Sequence, residues 1–218
     1  MEQVGKRREE TMGWALDSSG RLALGGAERS DAVRNRRRIL AAARALFEER
    51  GVTNVTMEEI SRSAGVGKGT LYRRFPNKGL LCQALLDEPT RRFQAEVLLS
   101  SSDPEKGPLE KLRGFLSRLV IFTEENLDLL YGGHETLQGA ERVAHYGHPA
   151  YVWTRWTVLG LLREAVRTGE LDAEQDVEYL SDALLAPLNV DLYYYQRRIM
   201  GIPTERIRAG LRSLVPCR

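Results

Sequence analysis

Residues 55–81 have the sequence VTMEEISRSAGVGKGTLYRRFPNKGLL, whose glycine-rich centre, GVGKGT at residues 65–70, fits two very different structures. A phosphate-binding loop has the pattern G-x-x-x-x-G-K-[ST], in which the first glycine lets the backbone wrap around the phosphates. Counting back from Gly67, that first position is Arg62, and Lys68 is followed by Gly69 instead of Ser or Thr. Such a loop also follows a buried strand, whereas a helix signal precedes these glycines. The sequence therefore favours a turn between two helices.

The helix before this turn is predicted by its cap and its spacing. Thr56 and Glu59 lie three residues apart in a capping-box pattern, and Ile60 and Ala64 follow at helical spacing. Gly65 suits the left-handed backbone of a tight turn. A short helix from the Thr56 cap to Ala64 is therefore expected.

Two further helices flank this one. The segment RNRRRILAAARALFEERG, residues 34–51, has apolar residues on one face and ends at a glycine that suits a helix C-terminus. After the turn, a helix over about residues 67–75 would point Leu71 and Phe75 inward, since they lie about one turn apart. The run of arginines at residues 34–38 is either a solvated helix start or a contact with phosphates or the minor groove.

The rest of the sequence also predicts helices. Asn77 is expected to cap a fourth helix, and Pro89 to kink or break it near Glu88. Residues 100–108 form the clearest loop. Five more helices are expected, at about residues 109–130, 135–145, 149–167, 172–200 and 204–215. Because no segment has a convincing strand pattern, the predicted fold class is all-α.

Composition indicates a structured, cytoplasmic protein. The chain has 218 residues, 42% of them hydrophobic, which is enough for one small and one larger helical unit. Its two cysteines, Cys82 and Cys217, have neither a pairing pattern nor metal-site spacing, which favours a reducing compartment. No apolar run approaches the roughly 18 residues of a membrane span, and the first residues lack the apolar core of a signal peptide. We therefore expect no membrane contact.

Charge is distributed unevenly along the chain. Residues 1–78 contain 16 Lys or Arg against 10 Asp or Glu, a net charge of +6, whereas the remainder has a net charge of −4. A basic first third on a slightly acidic body is a weak indication of nucleic-acid binding.

Residues 34–86 closely resemble the DNA-binding domain of the TetR family of transcriptional regulators. The resemblance is carried by ILAAARALFEERG at residues 39–51 and by the pattern T-x-x-x-I-x-x-x-A-G-V, followed by G-T-L-Y-x-x-F and N-K. It implies a three-helix helix-turn-helix domain at residues 31–78. A flexible arm at residues 1–30 would precede it, and a larger helical effector-binding and dimerisation domain at residues 79–218 would follow.

Helix geometry and the resemblance together select the DNA-facing residues. With Leu71 inward, Gly69 and Arg73 point away from the core, flanked by Thr70 and Tyr72. A lysine at the helix start reaches a guanine edge or a phosphate. By resemblance, Thr56 offers its hydroxyl or amide to a phosphate as well as capping its helix. The resemblance also implies that Tyr72, Arg74 and Lys78 contact the DNA backbone. The predicted DNA-binding residues are Thr56, Lys68, Gly69, Thr70, Tyr72, Arg73, Arg74 and Lys78.

The resemblance also implies a small-molecule effector bound in the second domain. An aromatic and apolar lining would suit a hydrophobic or planar compound. The candidate lining residues, each of which is equally compatible with an ordinary core position, are Phe115, Phe122, Tyr131, Tyr151, Trp153, Trp156, Leu188 and Tyr193, with Tyr146 beside them.

Amphipathic stripes in the last two predicted helices suit either the monomer core or a two-fold interface. The resemblance implies a homodimer through these helices. The stripes consist of Val177, Leu180, Leu184 and Leu188 in one helix and Ile207, Leu211 and Leu214 in the other.

The sequence offers no chemistry for catalysis. His134, His145 and His148 fall close together, but no cysteine or paired carboxylate completes a metal-ligand set. We therefore expect no metal, no cofactor and no enzymatic activity.

The leading interpretation is a repressor that binds a palindromic operator on double-stranded DNA as a dimer and is released by an effector. The alternatives are a DNA-binding regulator without effector response and an enzyme that uses the helical body.

Overall fold

The computed structural model describes residues 26–100 and 103–216, and every regular element in these ranges is helical. The α-helices are α1 (Gly26–Arg50), α2 (Met57–Ala64), α3 (Lys68–Arg74), α4 (Lys78–Ser100), α5 (Pro108–Glu125), α6 (Leu127–His134), α7 (Ala140–Ala144), α8 (Pro149–Arg167), α9 (Val177–Leu185), α10 (Val190–Tyr194) and α11 (Thr204–Leu214). Short 3-10 turns follow α7 (His145–Gly147) and α9 (Ala186–Leu188), and a π-helical turn follows α10 (Tyr195–Ile199).

Two separate hydrophobic cores organise these helices. The first, in what we call the reader, joins α1, α2 and α3 to the start of α4 through residues such as Ile39, Ile60 and Leu71. The second, in what we call the body, joins the rest of α4 to the helices that follow, α7 excepted. Helix α4 contributes to both, with Leu85 in the reader core and Phe93 in the body core. The reader core therefore extends past residue 78, where the sequence suggested a domain boundary.

The local signals around the helix-turn-helix are confirmed. Thr56 and Glu59 form both hydrogen bonds of the capping box at the start of α2. Gly65 follows α2 with a φ of 59°, in the left-handed region where residues with a Cβ are disfavoured. Asn77 caps α4, since its Oδ1 accepts a hydrogen bond of 2.8 Å from the amide of Leu80.

Of the kink or break predicted near Glu88, the break is wrong, because α4 continues through Pro89 as one helix. A proline in a helix removes one backbone hydrogen bond. Here Phe93 and Val97, beyond the proline, are buried in the body core, so packing stabilises the second half of the helix.

Other predicted boundaries also differ. The helix expected over residues 109–130 divides at Asn126, and that expected over 172–200 divides around Pro187 and Asn189. Only Ala140–Ala144 is α-helical within residues 135–145. Of the arm expected at residues 1–30, residues 1–25 lie outside the described part, and the remainder belongs to α1.

The segment YGGH, residues 131–134, lies between two of the predicted helices, but in the structure it forms the last turn of α6. A Cβ on Gly132 would lie 2.4 Å from Cγ1 of Val52, which follows α1. A Cβ on Gly79 of α4 would lie 3.1 Å from the carbonyl oxygen of Gly133. These glycines therefore permit the close packing of α6 against α4 and the reader.

Candidate nucleic-acid interface

The position of α3 is fixed by its buried side. Leu71 is fully buried and Phe75, the residue after the helix, is 5% exposed. On the opposite side, Lys68, Gly69 and Arg73 are exposed. The inward and outward faces predicted from helix geometry are therefore those of the structure.

The outward face of α3 is basic and open. Tyr72 is 44% exposed, Thr70 is half-buried, and Arg73 and Arg74 are exposed. Neither guanidinium group has an ion-pair partner within the described residues. A Cβ on Gly69 would meet no atom within 4 Å, so the middle of this face is flat. Such a surface can approach the edge of a base or a phosphate closely.

The N-terminus of α2 is held by Glu59. Its Oε2 accepts hydrogen bonds from both the amide and the hydroxyl of Thr56, each 2.8 Å long. Its Oε1 accepts a 2.8 Å hydrogen bond from Arg50. The hydrogen bonds from the Thr56 amide, from Arg50 and from the Thr56 hydroxyl lower the pKa of the Glu59 carboxyl to about 2. Both groups that Thr56 was predicted to offer to a phosphate are thus engaged by this carboxylate.

The lowered pKa of Glu59 predicts an acid dependence of stability. A carboxyl whose pKa is lower in the folded state contributes stability above its unfolded pKa, near 4.5, and loses it as the pH falls toward about 2. Glu59→Gln keeps a capping-box residue but has no titrating carboxyl. We therefore expect a flatter dependence of the thermal midpoint on pH over this range in the variant than in the parent. If circular dichroism melts gave the same dependence of the midpoint on pH for both proteins, the lowered pKa would not belong to Glu59.

Lys78, predicted to contact the DNA backbone, has hydrogen-bond partners within the reader. Its half-buried side chain points back into the reader, where Nζ donates to the carbonyl oxygens of Val52, Thr53 and Val55 at 2.9, 3.5 and 3.3 Å. An ammonium group has three donors, so its capacity is used. The structure gives Lys78 the role of holding the connection between α1 and α2.

The arginine run at residues 34–38 lies within α1, and two of its side chains contact the turn before α3 and the residue after it. Arg38 donates a 3.0 Å hydrogen bond to the carbonyl of Gly65. Arg36 lies 5.9 Å from the ring centre of Phe75 and 3.4 Å from a carboxylate oxygen of Asp87. Sequence reasoning missed both roles, because the contacts join residues that are far apart in the chain.

In the body, several predicted lining residues pack against one another. Phe93, which was not predicted, lies 4.8 Å from Phe122 and 6.0 Å from Phe115 and Trp153, measured between ring centres. Tyr193 is fully buried, and its hydroxyl donates to Glu124 over 3.1 Å.

The other predicted lining residues are dispersed. Tyr131 stacks on Tyr194 with ring centres 3.8 Å apart, and Tyr151 meets Tyr146 edge to face. Leu188 packs at the edge of the body core, and Trp156 is 57% exposed. The structure therefore does not gather the predicted residues around one pocket.

A cleft of ≈ 480 Å³ lies instead between α1, α4 and α5, where the reader meets the body. Of the predicted lining residues only Phe122 contributes to it. The remaining walls mix apolar and charged side chains, namely Arg44, Glu88, Pro89, Arg92, Phe93, Glu96, Arg118, Ile121, Glu125 and Asn126.

The predicted dimer stripes are largely part of the monomer core. Leu184 and Leu211 are 1% and 3% exposed and belong to the body core, as the amphipathic pattern also allowed. Other apolar side chains in this part of the chain are exposed, among them Leu192 on α10, Tyr195 and Ile199 in the π-helical turn, Met200 directly after it and Leu214 on α11.

The π-helical turn is anchored to α5 by Arg197. This side chain bonds both carboxylate oxygens of Glu124, at 2.6 and 2.8 Å, which lowers the pKa of the Glu124 carboxyl. The neighbouring Arg198 pairs with Asp128. With these arginines held toward α5 and α6, Ile199 is left 67% exposed.

The histidines have other partners. Nδ1 of His134 lies 3.2 Å from Asp191, and Nδ1 of His148 accepts a hydrogen bond from the amide of Ala150 at the start of α8. The side chain of His145 and all of Cys217 lie outside the described part. Within that part, no group of three or more His, Cys, Asp or Glu side chains is placed to hold a metal ion. None of the described helices is long and apolar enough to cross a membrane.

Comparison with known proteins identifies both parts of the chain. The family model for bacterial regulatory proteins of the tetR family matches residues 39–85, which form most of the reader. The HTH-type transcriptional regulator SAB2452 of Staphylococcus aureus is 35% identical over 103 residues, 47% of this chain and 55% of that protein, so the match spans about half the relative's length. The probable HTH-type transcriptional regulator ArpR of Pseudomonas putida is 31% identical over 166 residues, 72% of this chain and 78% of that protein.

Solved structures extend the likeness to the body. Thermus thermophilus FadR, described as a TetR-family transcriptional repressor in complex with lauroyl-CoA, has a TM-score of 0.62 at 22% identity and covers 83% of this chain and 92% of that one. A complex of SmeT with triclosan has a TM-score of 0.59 at 21% identity, over 83% and 89% of the two chains. These likenesses establish the fold. Together with the helix-turn-helix geometry and the similarity to ArpR over both parts of the chain, they show that the protein belongs to the TetR family of transcriptional regulators.

Proposed function

We propose that the protein is a repressor that binds a palindromic operator as a dimer and releases it when a small effector binds to the body. The observation that supports DNA reading most directly is the outward face of α3, where Arg73 and Arg74 are exposed and unpaired within the described residues. A buried Leu71 holds that face in a fixed rotation. No enzymatic step is part of this proposal.

The operator itself can be found by selecting binding sequences from random DNA. A dimer presents two copies of α3 related by two-fold symmetry, so the selected sequences should contain an inverted repeat. Selection of unrelated sequences, or of single half-sites only, would contradict the dimeric reading of DNA.

Arg73 is expected to read sequence. As a planar guanidinium facing the groove, it can form paired hydrogen bonds to guanine. Arg73→Ala should cost about 1 to 3 kcal/mol on the selected operator and much less on a scrambled duplex. The measurement is a pair of binding isotherms at one salt concentration.

Arg74→Ala provides the matched control, because this neighbouring arginine is expected to contact a phosphate. Its removal should weaken both duplexes alike and lower the salt slope by about one unit. If Arg74→Ala changed discrimination and Arg73→Ala did not, α3 would enter the groove in another rotation.

For the effector, we propose the cleft between α1, α4 and α5. Its floor includes Phe93 and Phe122, and its walls carry both arginine and glutamate side chains. A compound with an apolar part and a charged part fits this lining better than a purely hydrophobic one. Because Arg44 belongs to the reader and Arg118 to the body, a bound compound would contact both units.

The fold neighbours bound to lauroyl-CoA and triclosan supply two probes. Release of a labelled operator by either compound, reduced in Phe122→Ala, would support the cleft. Release that is equal in Phe122→Ala and the parent would place the effector elsewhere.

A regulator without effector response is the second candidate. It is favoured by the packing of Phe115, Trp153 and Tyr193 inside the body core, which leaves these side chains no role in a pocket. In that case extracts rich in small molecules would leave operator affinity unchanged, whereas an effector-responsive protein would lose affinity in at least one fraction.

For self-association, we propose the surface formed by Leu192, Tyr195, Ile199 and Met200, which are 43%, 51%, 67% and 56% exposed. Contiguous apolar side chains of this size are uncommon on monomers and are typical of interfaces. A two-fold axis would pair this surface with its own copy.

A further inference from the structure

Lys68, at the first position of α3, has a carboxylate partner in the neighbouring helix. Its Nζ donates a 2.5 Å hydrogen bond to Oε1 of Glu58, in the first turn of α2. The two side chains are 62% and 55% exposed, so the pair lies on the surface. The hydrogen bond and charge of Lys68 lower the pKa of the Glu58 carboxyl. Glu58 is therefore an anion at neutral pH.

The two glutamates in the first turn of α2 have different roles. Glu59 completes the capping box and binds Arg50, so it stabilises the reader itself. Glu58 caps nothing, and among the described residues its hydrogen bond goes to Lys68 alone. A carboxylate bound to a lysine resembles the phosphate that the same lysine would bind on DNA.

We propose that Glu58 is an internal competitor for Lys68 that restrains binding to DNA of any sequence. The inference rests on the proposed contact between Lys68 and DNA. While Glu58 holds the ammonium, the pair presents no net charge to the phosphates. A phosphate that binds this ammonium competes with Glu58, and the carboxylate remains beside the DNA. Non-specific binding is almost entirely electrostatic, so it is the mode most affected by such a charge.

The test compares Glu58→Gln with the parent protein on a scrambled duplex and on the selected operator. At low salt, Glu58→Gln should bind the scrambled duplex about two to five times more tightly, as expected for losing one exposed ion pair. The dependence of the logarithm of the binding constant on that of salt should become steeper by about 0.9, the value for one more cation acting on B-DNA.

Two further variants make the result specific. Glu174→Gln changes the net charge equally at an exposed position in the body and should leave both quantities unchanged. In a Lys68→Gln background, Glu58→Gln should have a clearly smaller effect, because competition for the ammonium requires both partners and only repulsion between the carboxylate and the phosphates remains.

The outcomes separate this inference from the proposed function. If the parent protein bound no duplex, the proposed function would fail. If it bound the operator while Glu58→Gln behaved like Glu174→Gln, only the inference would fail. It would fail also if the gain were equally large in the Lys68→Gln background, since Glu58 would then act only by repelling the phosphates.

Discussion

Leu184→Asp is expected to unfold the body, whereas Ile199→Asp should leave it folded and weaken self-association. Leu184 is 1% exposed inside the body core, so an aspartate there would place a carboxylate among apolar side chains. A buried unpaired carboxyl group and the lost apolar contacts together cost more than about 4 kcal/mol. Ile199 is 67% exposed, so a charge there meets water in the monomer.

Denaturant titration and sedimentation velocity distinguish these effects. The Leu184→Asp chain should lose its helical signal or unfold at a much lower urea concentration than the parent. The Ile199→Asp chain should keep its helical signal and a cooperative unfolding transition, and should sediment more slowly than the parent in dilute solution. A folded, monomeric Leu184→Asp protein would instead place α9 in the interface between subunits.

Gly132→Ala is expected to destabilise the protein, and Gly133→Ala is not. The methyl group that Gly132→Ala introduces would lie 2.4 Å from Cγ1 of Val52, so α6 and the α1–α2 connection would have to separate. Overpacking of this kind typically costs about 1 to 3 kcal/mol. At Gly133 the nearest atom would be Cβ of Cys82 at 3.7 Å, an ordinary contact. Replacing a helical glycine by alanine there should add up to about 1 kcal/mol of stability.

The same pair of variants reports on the junction between reader and body. Val52 lies in the connection whose carbonyls also hold the ammonium of Lys78 at the start of α4. Displacement of Val52 by the Gly132→Ala substitution should therefore reach the reader and reduce operator affinity, while Gly133→Ala should bind the operator like the parent. Equal urea midpoints and equal affinities for both variants would mean that Val52 moves away from the added methyl group without a measurable loss of stability.

The parts of the structure that were predictable from the sequence are those decided within a few residues. The capping box of Thr56 and Glu59 and the left-handed Gly65 depend on local hydrogen bonds and on one backbone conformation, and both were confirmed. The inward face of α3 follows from the spacing of Leu71 and Phe75. The family motif contains these same positions, which is why the reader could be identified first.

The parts that were missed depend on contacts across the chain. A lysine after a turn has the same sequence whether it binds a phosphate or three carbonyl groups, as Lys78 does. A helical stripe containing Leu184 looks alike whether it covers its own core or a second subunit. At Pro89, the local rule predicted a break, but the burial of Phe93 beyond it favoured continuation.

The proline inside α4 separates the helix into two halves that can unfold locally at different times. Pro89 has no amide hydrogen, so the carbonyl of Leu85 lacks its usual partner one turn later. This gap in the hydrogen-bond ladder lies between Leu85, in the reader core, and Phe93, in the body core. Opening of the reader can therefore melt the first turns of α4 while the rest stays protected. In amide hydrogen exchange, residues 82–88 should follow the reader and residues 93–100 the body, so that one continuous helix belongs to two cooperative units.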